Sequence, residues 1–182
     1  MTDGPRGAND GGPTIEEILE ILEGSESRDT DRAHFVLAQL AFWLLAATDG
    51  HAKNFSIFHR VGGAFGMTPL YDVLSAWPVI GPGADQFPKQ DAKLAMAIRG
   101  KSRHYRLREI HPRHWHELAI RIGLTGLWDR MRNLVESADA HVMAVKARLP
   151  SSFPERVIDT IAAGVKQQSV AFIAAAPPAS TA

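Results

Sequence analysis

The segment TDGHAKN, residues 48–54, places an acid, a histidine, a lysine and an asparagine directly after a long apolar run. Asp49 and Asn54 are five residues apart, and Asp72 follows beyond a pair of adjacent glycines. Phosphoryl transfer uses such a set, because one aspartate accepts the proton of the attacking hydroxyl while an asparagine and a second aspartate hold metal ions. Hard oxygen donors of this kind suit Mg²⁺, which takes one or two carboxylates together with substrate phosphates.

A predicted β-hairpin brings these side chains together. Two strand-like stretches flank the glycines at residues 62–63, which supply the turn. If the turn is centred between the glycines, cross-strand partners have numbers that sum to about 125, so Asn54 lies opposite Tyr71 and beside Asp72. Asp49 precedes the first strand and is expected near the same end of the hairpin.

Each of these residues also has an ordinary structural interpretation. Asp49 begins an Asp-Gly pair, which is common in turns. Asp72 is a candidate N-cap for a helix in the stretch that follows it. Lys53 is interpreted as a solvated or substrate-facing side chain. His51 is compatible with a nucleotide neighbour and with a polar loop residue, since histidine serves many roles.

The elements that must position these residues are mostly helices. Thr14, with Glu17 three residues later, predicts a capped helix start. Residues 30–47 predict a second helix, apolar nearly all round and therefore central and buried. Residues 77–91 are rich in proline and glycine and predict a loop. Helical periodicity continues through most of the chain after residue 111.

The predicted fold class is therefore mainly α with a small β-hairpin. Residues 14–176 form the folded body, with a disordered lead-in over residues 1–13 and a disordered tail over residues 177–182. The short stretch AKLAMAI, residues 92–98, is ambiguous between strand and helix.

Composition narrows the class of protein. The 182 residues suit one domain, and 20 basic residues balance 20 acidic ones, which argues against a protein that coats a polyanion. Cysteine is absent, so disulfides, thiolate catalysis and cysteine-ligated zinc are excluded, and a cytoplasmic location is natural. No apolar run approaches the ~20 residues that span a bilayer.

Two polar clusters lie further along the chain. His111 and His114 have a spacing that allows a shared metal, but a polar helix N-terminus with Trp115 packed inward is the favoured interpretation. The segment RGKSRHYRLRE, residues 99–109, is either a solvated loop or a phosphate- or nucleic-acid-binding patch, since clustered basic residues gain from counterion release. The candidate nucleic-acid residues in it are Lys101, Arg103 and Arg106.

Several segments in order carry a resemblance that covers roughly residues 9–176: ATDGHAKNFSIF, GAFGMTPLYDVLSAWPVIG, DAKLAMAI, IHPRHW and FPERVIDTI. They resemble the C-terminal part of HipA-type toxin kinases. The family consists of bacterial serine/threonine kinases of type II toxin–antitoxin systems, each paired with a HipB-type antitoxin on operator DNA. Its best-known member phosphorylates a glutamyl-tRNA synthetase and promotes persistence.

The resemblance implies a protein-kinase-like C-terminal lobe that uses ATP and Mg²⁺ to phosphorylate a protein. Carried over by position, Asp49 is the catalytic base, while Asn54 and Asp72 bind Mg²⁺. His51 and Tyr71 then lie near the nucleotide. The HipB-type antitoxin is the implied partner, and operator DNA is reached through the antitoxin complex.

One departure from the family pattern limits this expectation. No glycine-rich loop between strands and no strand with a lysine precede Asp49, so the sequence looks like the C-terminal lobe without an N-terminal lobe. We expect the isolated chain to bind ATP weakly and not to turn over unless a partner chain supplies that lobe. We also expect the cleft face that an N-terminal lobe normally covers to be solvent-exposed, and an uncovered side of helix 30–47 would favour association. The alternative function is a non-catalytic module that binds a HipB-like antitoxin or operator DNA.

Overall fold

The computed structural model describes residues 12–178, which contain five α-helices and two pairs of antiparallel strands. The helices are α1 (Ile15–Leu22), α2 (Arg28–Leu45), α3 (Pro112–Ile122), α4 (Leu127–Lys146) and α5 (Glu155–Ala175). The strands are β1 (Ile57–His59), β2 (Phe65–Met67), β3 (Lys93–Arg99) and β4 (Arg103–Arg106). The mainly helical class is confirmed, but the prediction of one hairpin is wrong, since the structure has two.

Helix α2 lies at the centre of the core, as its apolar sequence predicts. Its side chains pack against α1, α4 and α5. Phe35, Val36 and Leu40 are fully buried, and each stabilises the fold by roughly 1.5–3 kcal/mol. Leu37 and Leu45 are half-buried against the core, so the described residues cover most of this helix.

The predicted capped start of α1 is confirmed. The Thr14 N–H donates to the Glu17 carboxylate at 2.7 Å, and the Glu17 N–H donates to the Thr14 hydroxyl at 3.2 Å. This reciprocal pair satisfies N–H groups that have no partner inside the helix. The helix then buries Ile15, Leu19 and Leu22 in the core.

The first hairpin differs from its prediction in register and length. Ile57 pairs with Met67 and His59 with Phe65, so partner numbers sum to 124 rather than about 125. The shift arises because the turn is centred on Gly62, which has a φ of +83°. Strand β2 ends at Met67, two residues before a proline that cannot donate to a strand partner.

The second hairpin is formed by two segments. In the sequence, residues 92–98 are ambiguous between strand and helix, and residues 99–109 are interpreted as a solvated loop or a binding patch. Strand β3 buries Leu94, Met96 and Ile98 in the core at alternate positions. Strand β4 pairs with it antiparallel, with Arg99 opposite Arg103. The basic segment is therefore held on a β-hairpin, and its interpretation as a plain loop is wrong.

The C-terminal helices follow their predicted positions and close the core. Trp115 of α3 is fully buried and contacts the ring of Trp43 on α2 edge to face, as its inward orientation predicts. The carbonyl oxygens of residues 177 and 178 accept hydrogen bonds from Arg132 and Trp128 of α4, at 2.8 and 3.0 Å. Both lie in the segment predicted as a disordered tail; residues 1–11 and 179–182 lie outside the described residues.

His114 is a buried histidine at the start of α3. Its Nδ1 faces the N–H of His111 at 3.3 Å, and its Nε2 faces Nε of Arg113 at 3.2 Å. Its ring stacks on His104 of β4 with the centroids 4.2 Å apart. Because N–H groups of the protein face both ring nitrogens and the ring is buried, these contacts favour the structural interpretation of the His111–His114 pair over a shared metal.

The surroundings of His114 predict a pH-dependent stability. Burial lowers its pKa to about 4, with further lowering from His104, Arg113 and His111 against a smaller opposing effect of Glu117. The unfolded ring takes a proton near the ordinary value of 6.5, whereas the folded ring stays neutral until about 4. The unfolded state therefore binds more protons between these values, and stability falls as the pH drops through that window.

We expect this one group to lower the free energy of unfolding by about 2 kcal/mol between pH 7 and pH 5. Urea unfolding at both pH values measures the difference. His114→Gln is expected to reduce the loss, while His141→Gln on the exposed face of α4 should leave it unchanged. An equal pH dependence in the wild-type protein and in both variants would contradict the assignment to His114.

Candidate functional site

Asn54 and Asp72 are in direct contact. Asn54 ends a 3₁₀ turn over Ala52–Asn54 and is only 3% exposed. Its Nδ2 donates to Oδ2 of Asp72 at 3.2 Å, and its Oδ1 accepts from the His51 N–H at 2.9 Å. The predicted adjacency of the two residues is therefore present. It arises from contact between two loops rather than from strand pairing, because the ladder ends at Ile57.

Asp72 has an unusual backbone conformation. Its φ is +55°, in the left-handed region that non-glycine residues rarely adopt and that costs on the order of 1 kcal/mol or more. Residues 68–76 contain no helix, so the alternative role of Asp72 as an N-cap is wrong. The left-handed conformation instead accompanies a carboxylate that contacts Asn54. Such conformations persist only where the surrounding structure holds them.

The end of α2 provides that support. The last carbonyls of a helix have no partner inside it. Here the Leu45 carbonyl accepts from the hydroxyl of Ser75 at 2.6 Å, and the Leu44 carbonyl accepts from Nε1 of Trp77 at 2.9 Å. A Cβ added at Gly164 of α5 would lie 2.3 Å from the Trp77 ring, so the indole is packed tightly from the other side. The segment after Asp72 is thus attached to two core helices.

Tyr71 links the two loops next to this contact. Its hydroxyl donates to the Lys53 carbonyl at 2.7 Å and shares a hydrogen bond of 2.6 Å with the Ser56 hydroxyl. The ring remains partly exposed, and the Lys53 side chain is exposed. Tyr71 therefore fixes the position of Asn54 relative to Asp72, a role that its residue type did not predict.

Asp49 and His51 form a second pair at the start of the loop. Nε2 of His51 lies 3.7 Å from Oδ1 of Asp49, whose side chain is 51% exposed. Nδ1 of His51 is buried and has no hydrogen-bond partner in the described part of the chain. Among residues 12–178, no side-chain hydrogen bond joins Asp49 to Asp72. The exposed fractions show that Asp49 is accessible, while Asn54 is enclosed.

Two close packing contacts hold this loop on α2. A Cβ at Gly50 would lie 2.3 Å from the ring of Phe42, so only glycine allows the loop to approach the helix so closely. Phe55, directly after Asn54, contacts Phe35 with the ring centroids 4.8 Å apart. The Asp-Gly pair is therefore more than a turn signal, because its glycine sets the distance between the loop and the core.

Asp31 of α2 is a positioning residue that sequence reasoning missed. Its carboxylate is buried and accepts from the Met67 N–H of β2 at 2.8 Å and from the Ser25 hydroxyl. The Glu26 N–H also donates to the Phe65 carbonyl at 3.0 Å. The first hairpin is thus attached to the start of α2. Asp31 lies in the charged first turn of α2 together with Asp29, so the sequence offered no signal that distinguishes it from that exposed neighbour.

The basic candidates all lie on the second hairpin. Lys101 is in its turn, Arg103 begins β4, and all three side chains are exposed. Arg106 differs from the other two because it lies 3.5 Å from the Glu109 carboxylate. No helix within residues 12–178 is long and apolar enough to cross a membrane.

Comparisons with known proteins agree with this architecture. A family model described as the HipA-like C-terminal domain matches residues 4–152. A solved structure of the Shewanella oneidensis MR-1 toxin–antitoxin system HipA, HipB and its operator DNA complex is similar, with a TM-score of 0.75 and 14% identity. The alignment covers 96% of this chain and 42% of that one. At this identity the likeness concerns the fold, and the chain spans less than half of the matched protein.

Proposed function

Because this chain belongs to the HipA-like C-terminal domain family, we propose that it is the C-terminal lobe of a toxin–antitoxin serine/threonine kinase. The observation that carries the proposal is the hydrogen bond between Asn54 and Asp72. It brings together two oxygen-bearing side chains that lie 18 positions apart, while the exposed Asp49 lies 3.7 Å from His51 on the loop that carries Asn54. An amide and two carboxylates are the side chains that phosphoryl transfer with ATP requires.

In this proposal Asp49 accepts the proton of the attacking serine or threonine hydroxyl. Its exposure leaves room for a protein substrate to approach, and His51 lies beside it. A base of this kind acts only when it can reach the proton it removes, about 3 Å away or through one water. A glutamyl-tRNA synthetase-like target, implied by the sequence resemblance, is one member of the proposed class of substrate.

Asn54 and Asp72 are the proposed magnesium ligands, and their contacts fit that role. Asp72 contacts Asn54 through Oδ2, and Asn54 Oδ1 has a second lone pair beyond its hydrogen bond to His51. Mg²⁺ prefers such oxygens and completes its shell with phosphate oxygens and water. When bound, Mg²⁺ neutralises charge on the phosphate oxygens.

The remainder of an ATP site comes from outside these 182 residues in our proposal. We propose that His51 and Tyr71 lie near the bound nucleotide. The phosphate-binding loop and the ATP-pairing lysine come from an N-terminal lobe, on a further segment or on a partner chain. This is consistent with a chain that aligns with 42% of the matched structure.

Paramagnetic relaxation by Mn²⁺ tests the proposed metal site without requiring activity. We expect Mn²⁺ added to the ¹⁵N-labelled chain to broaden the amide signals of Asn54 and Asp72 before those elsewhere, and excess Mg²⁺ to reverse it. Asp72→Asn is expected to raise the Mn²⁺ concentration that produces this broadening at least tenfold. Asp85→Asn, an equal change of charge in an exposed loop, serves as the control. Equal broadening in both variants would contradict the site.

The second candidate function is a non-catalytic module that binds a HipB-type antitoxin and, through that complex, operator DNA. It is supported by the fold likeness to a protein solved with HipB and operator DNA, and by the exposed cations of the second hairpin. Supplying an N-terminal lobe distinguishes the two. Phosphate transfer from labelled ATP supports the kinase, whereas antitoxin binding without any transfer supports the module.

A further inference from the structure

A basic groove lies between the second hairpin and the start of α3, separate from the residues of the proposed kinase site. It is a wide depression, open to solvent, with a volume of about 550 Å³. Strand β4, the short 3₁₀ turn after it and the first residues of α3 contribute its lining, which consists of Ser102, Arg103, His104, Arg108, Glu109, His111 and Arg113. Three segments that are consecutive in the chain thus direct cationic and neutral polar groups into one concave surface.

The charges of this groove are unbalanced. Its lining has three arginines against a single carboxylate, a formal charge of +2 when the histidines are neutral. That carboxylate, Glu109, is also 3.5 Å from Arg106, which lies outside the lining. Within the described range, no ion pair joins Arg108 to a carboxylate, and Arg103 interacts electrostatically with Glu17 in the first turn of α1. Most surface arginines need no ligand, but several that converge on a concavity repel one another unless an anion lies between them.

The groups in the groove match a phosphate. Guanidinium groups bind phosphate oxygens through paired N–H donors, and this geometry distinguishes them from lysine. The positive end of the α3 dipole adds to the same field, since His111 is the N-cap and Arg113 lies in the first turn. The Ser102 hydroxyl and the imidazoles of His104 and His111 supply further hydrogen-bonding groups at the rim.

We infer that this groove binds the phosphate group of a small phosphate ester or inorganic phosphate. The cations of the groove are grouped in one depression. This arrangement suits a compact anion better than a nucleic-acid duplex, whose phosphates are regularly spaced along a backbone. Of the three residues predicted to contact nucleic acid, only Arg103 lines the groove, and Arg106 is already close to a carboxylate. The inference does not depend on the kinase proposal.

An NMR titration of the full chain with inorganic phosphate, at constant ionic strength in chloride, tests the inference. We expect saturable shifts confined to residues 102–104 and 108–113. AMP in a parallel titration distinguishes the sources of the anion. Tighter binding of AMP than of phosphate means that the groove also holds the body of an ester, and equal binding means that it recognises the anion alone.

Substitutions test whether the arginines of the groove bind the phosphate. The double variant Arg103→Gln/Arg108→Gln is expected to lower the affinity for phosphate at least tenfold. Arg103→Lys, which keeps the charge and loses the paired donors, is expected to have an intermediate effect. Arg148→Gln/Arg156→Gln removes two exposed arginines elsewhere and should change nothing. Circular dichroism confirms that each variant is folded.

Three outcomes would overturn the inference. The first is a linear, unsaturable response to phosphate. The second is an affinity that falls equally in the groove variant and in the distant control. The third is a 12-base-pair duplex that shifts the same residues and is not displaced by phosphate or AMP, since that result assigns the surface to nucleic acid.

Discussion

In the proposed kinase, assembled with an N-terminal lobe, Asp49→Asn is expected to slow phosphate transfer by roughly 10²–10⁴-fold in kcat. The asparagine has nearly the same shape but cannot accept the proton of the attacking hydroxyl. Binding of ATP should change little, because the proposed metal ligands Asn54 and Asp72 are retained. Incorporation of labelled phosphate from ATP into a protein substrate measures the rate, and a filter assay measures nucleotide binding.

The fold of this variant should be intact, which makes the result interpretable. The Asp49 side chain is half exposed, and the one charged partner it has within residues 12–178 is His51, at 3.7 Å. An exposed pair of this kind contributes about 0–1 kcal/mol. Asp85→Asn is the matched control and should retain full activity. Normal turnover by the Asp49 variant would remove the base assignment, and low turnover by both variants would point to a general effect of charge.

Local sequence patterns were sufficient for some of the fold. The capping box at Thr14 and the burial of α2 each depend on residues close together in the chain. The contact between Asn54 and Asp72 was predicted for a partly wrong reason, because the register is shifted by one residue and the second strand is short. Because the turn has nearly the predicted length, the chain still returns to a position where Asp72 contacts Asn54.

The features that sequence reasoning missed are set by tertiary contacts. Strand β4 is formed by a charged segment that looks like a loop, and it is stabilised by pairing with β3, whose alternate residues are buried in the core. The left-handed backbone of Asp72 is a conformation that aspartate tolerates better than most residues but that its sequence position does not predict. Gly50 is required by the ring of Phe42, eight positions earlier in sequence. None of these features follows from local propensity, because each depends on a contact with another residue in the fold.

Asp31→Ala is expected to lower the free energy of unfolding by about 2–4 kcal/mol. Removal of the carboxylate leaves the Met67 N–H and the Ser25 hydroxyl without their acceptor, and a buried donor left unpaired costs about 1–3 kcal/mol. Urea unfolding measures the loss. Hydrogen exchange at the Met67 amide should accelerate well beyond the change that global stability explains, because this hydrogen bond attaches β2 to α2.

Asp29→Ala is the matched control for this prediction. Both acids lie in the first turn of α2, so both interact with the helix dipole, but Asp29 is exposed and its ion pair among residues 12–178 is with Arg28 at 3.0 Å. Its removal should cost less than about 1 kcal/mol. Similar losses in the two variants would show that Asp31 acts through the dipole alone. A large loss only at Asp31, with Mn²⁺ broadening reduced at Asn54, would show that the start of α2 supports the proposed metal site through the hairpin.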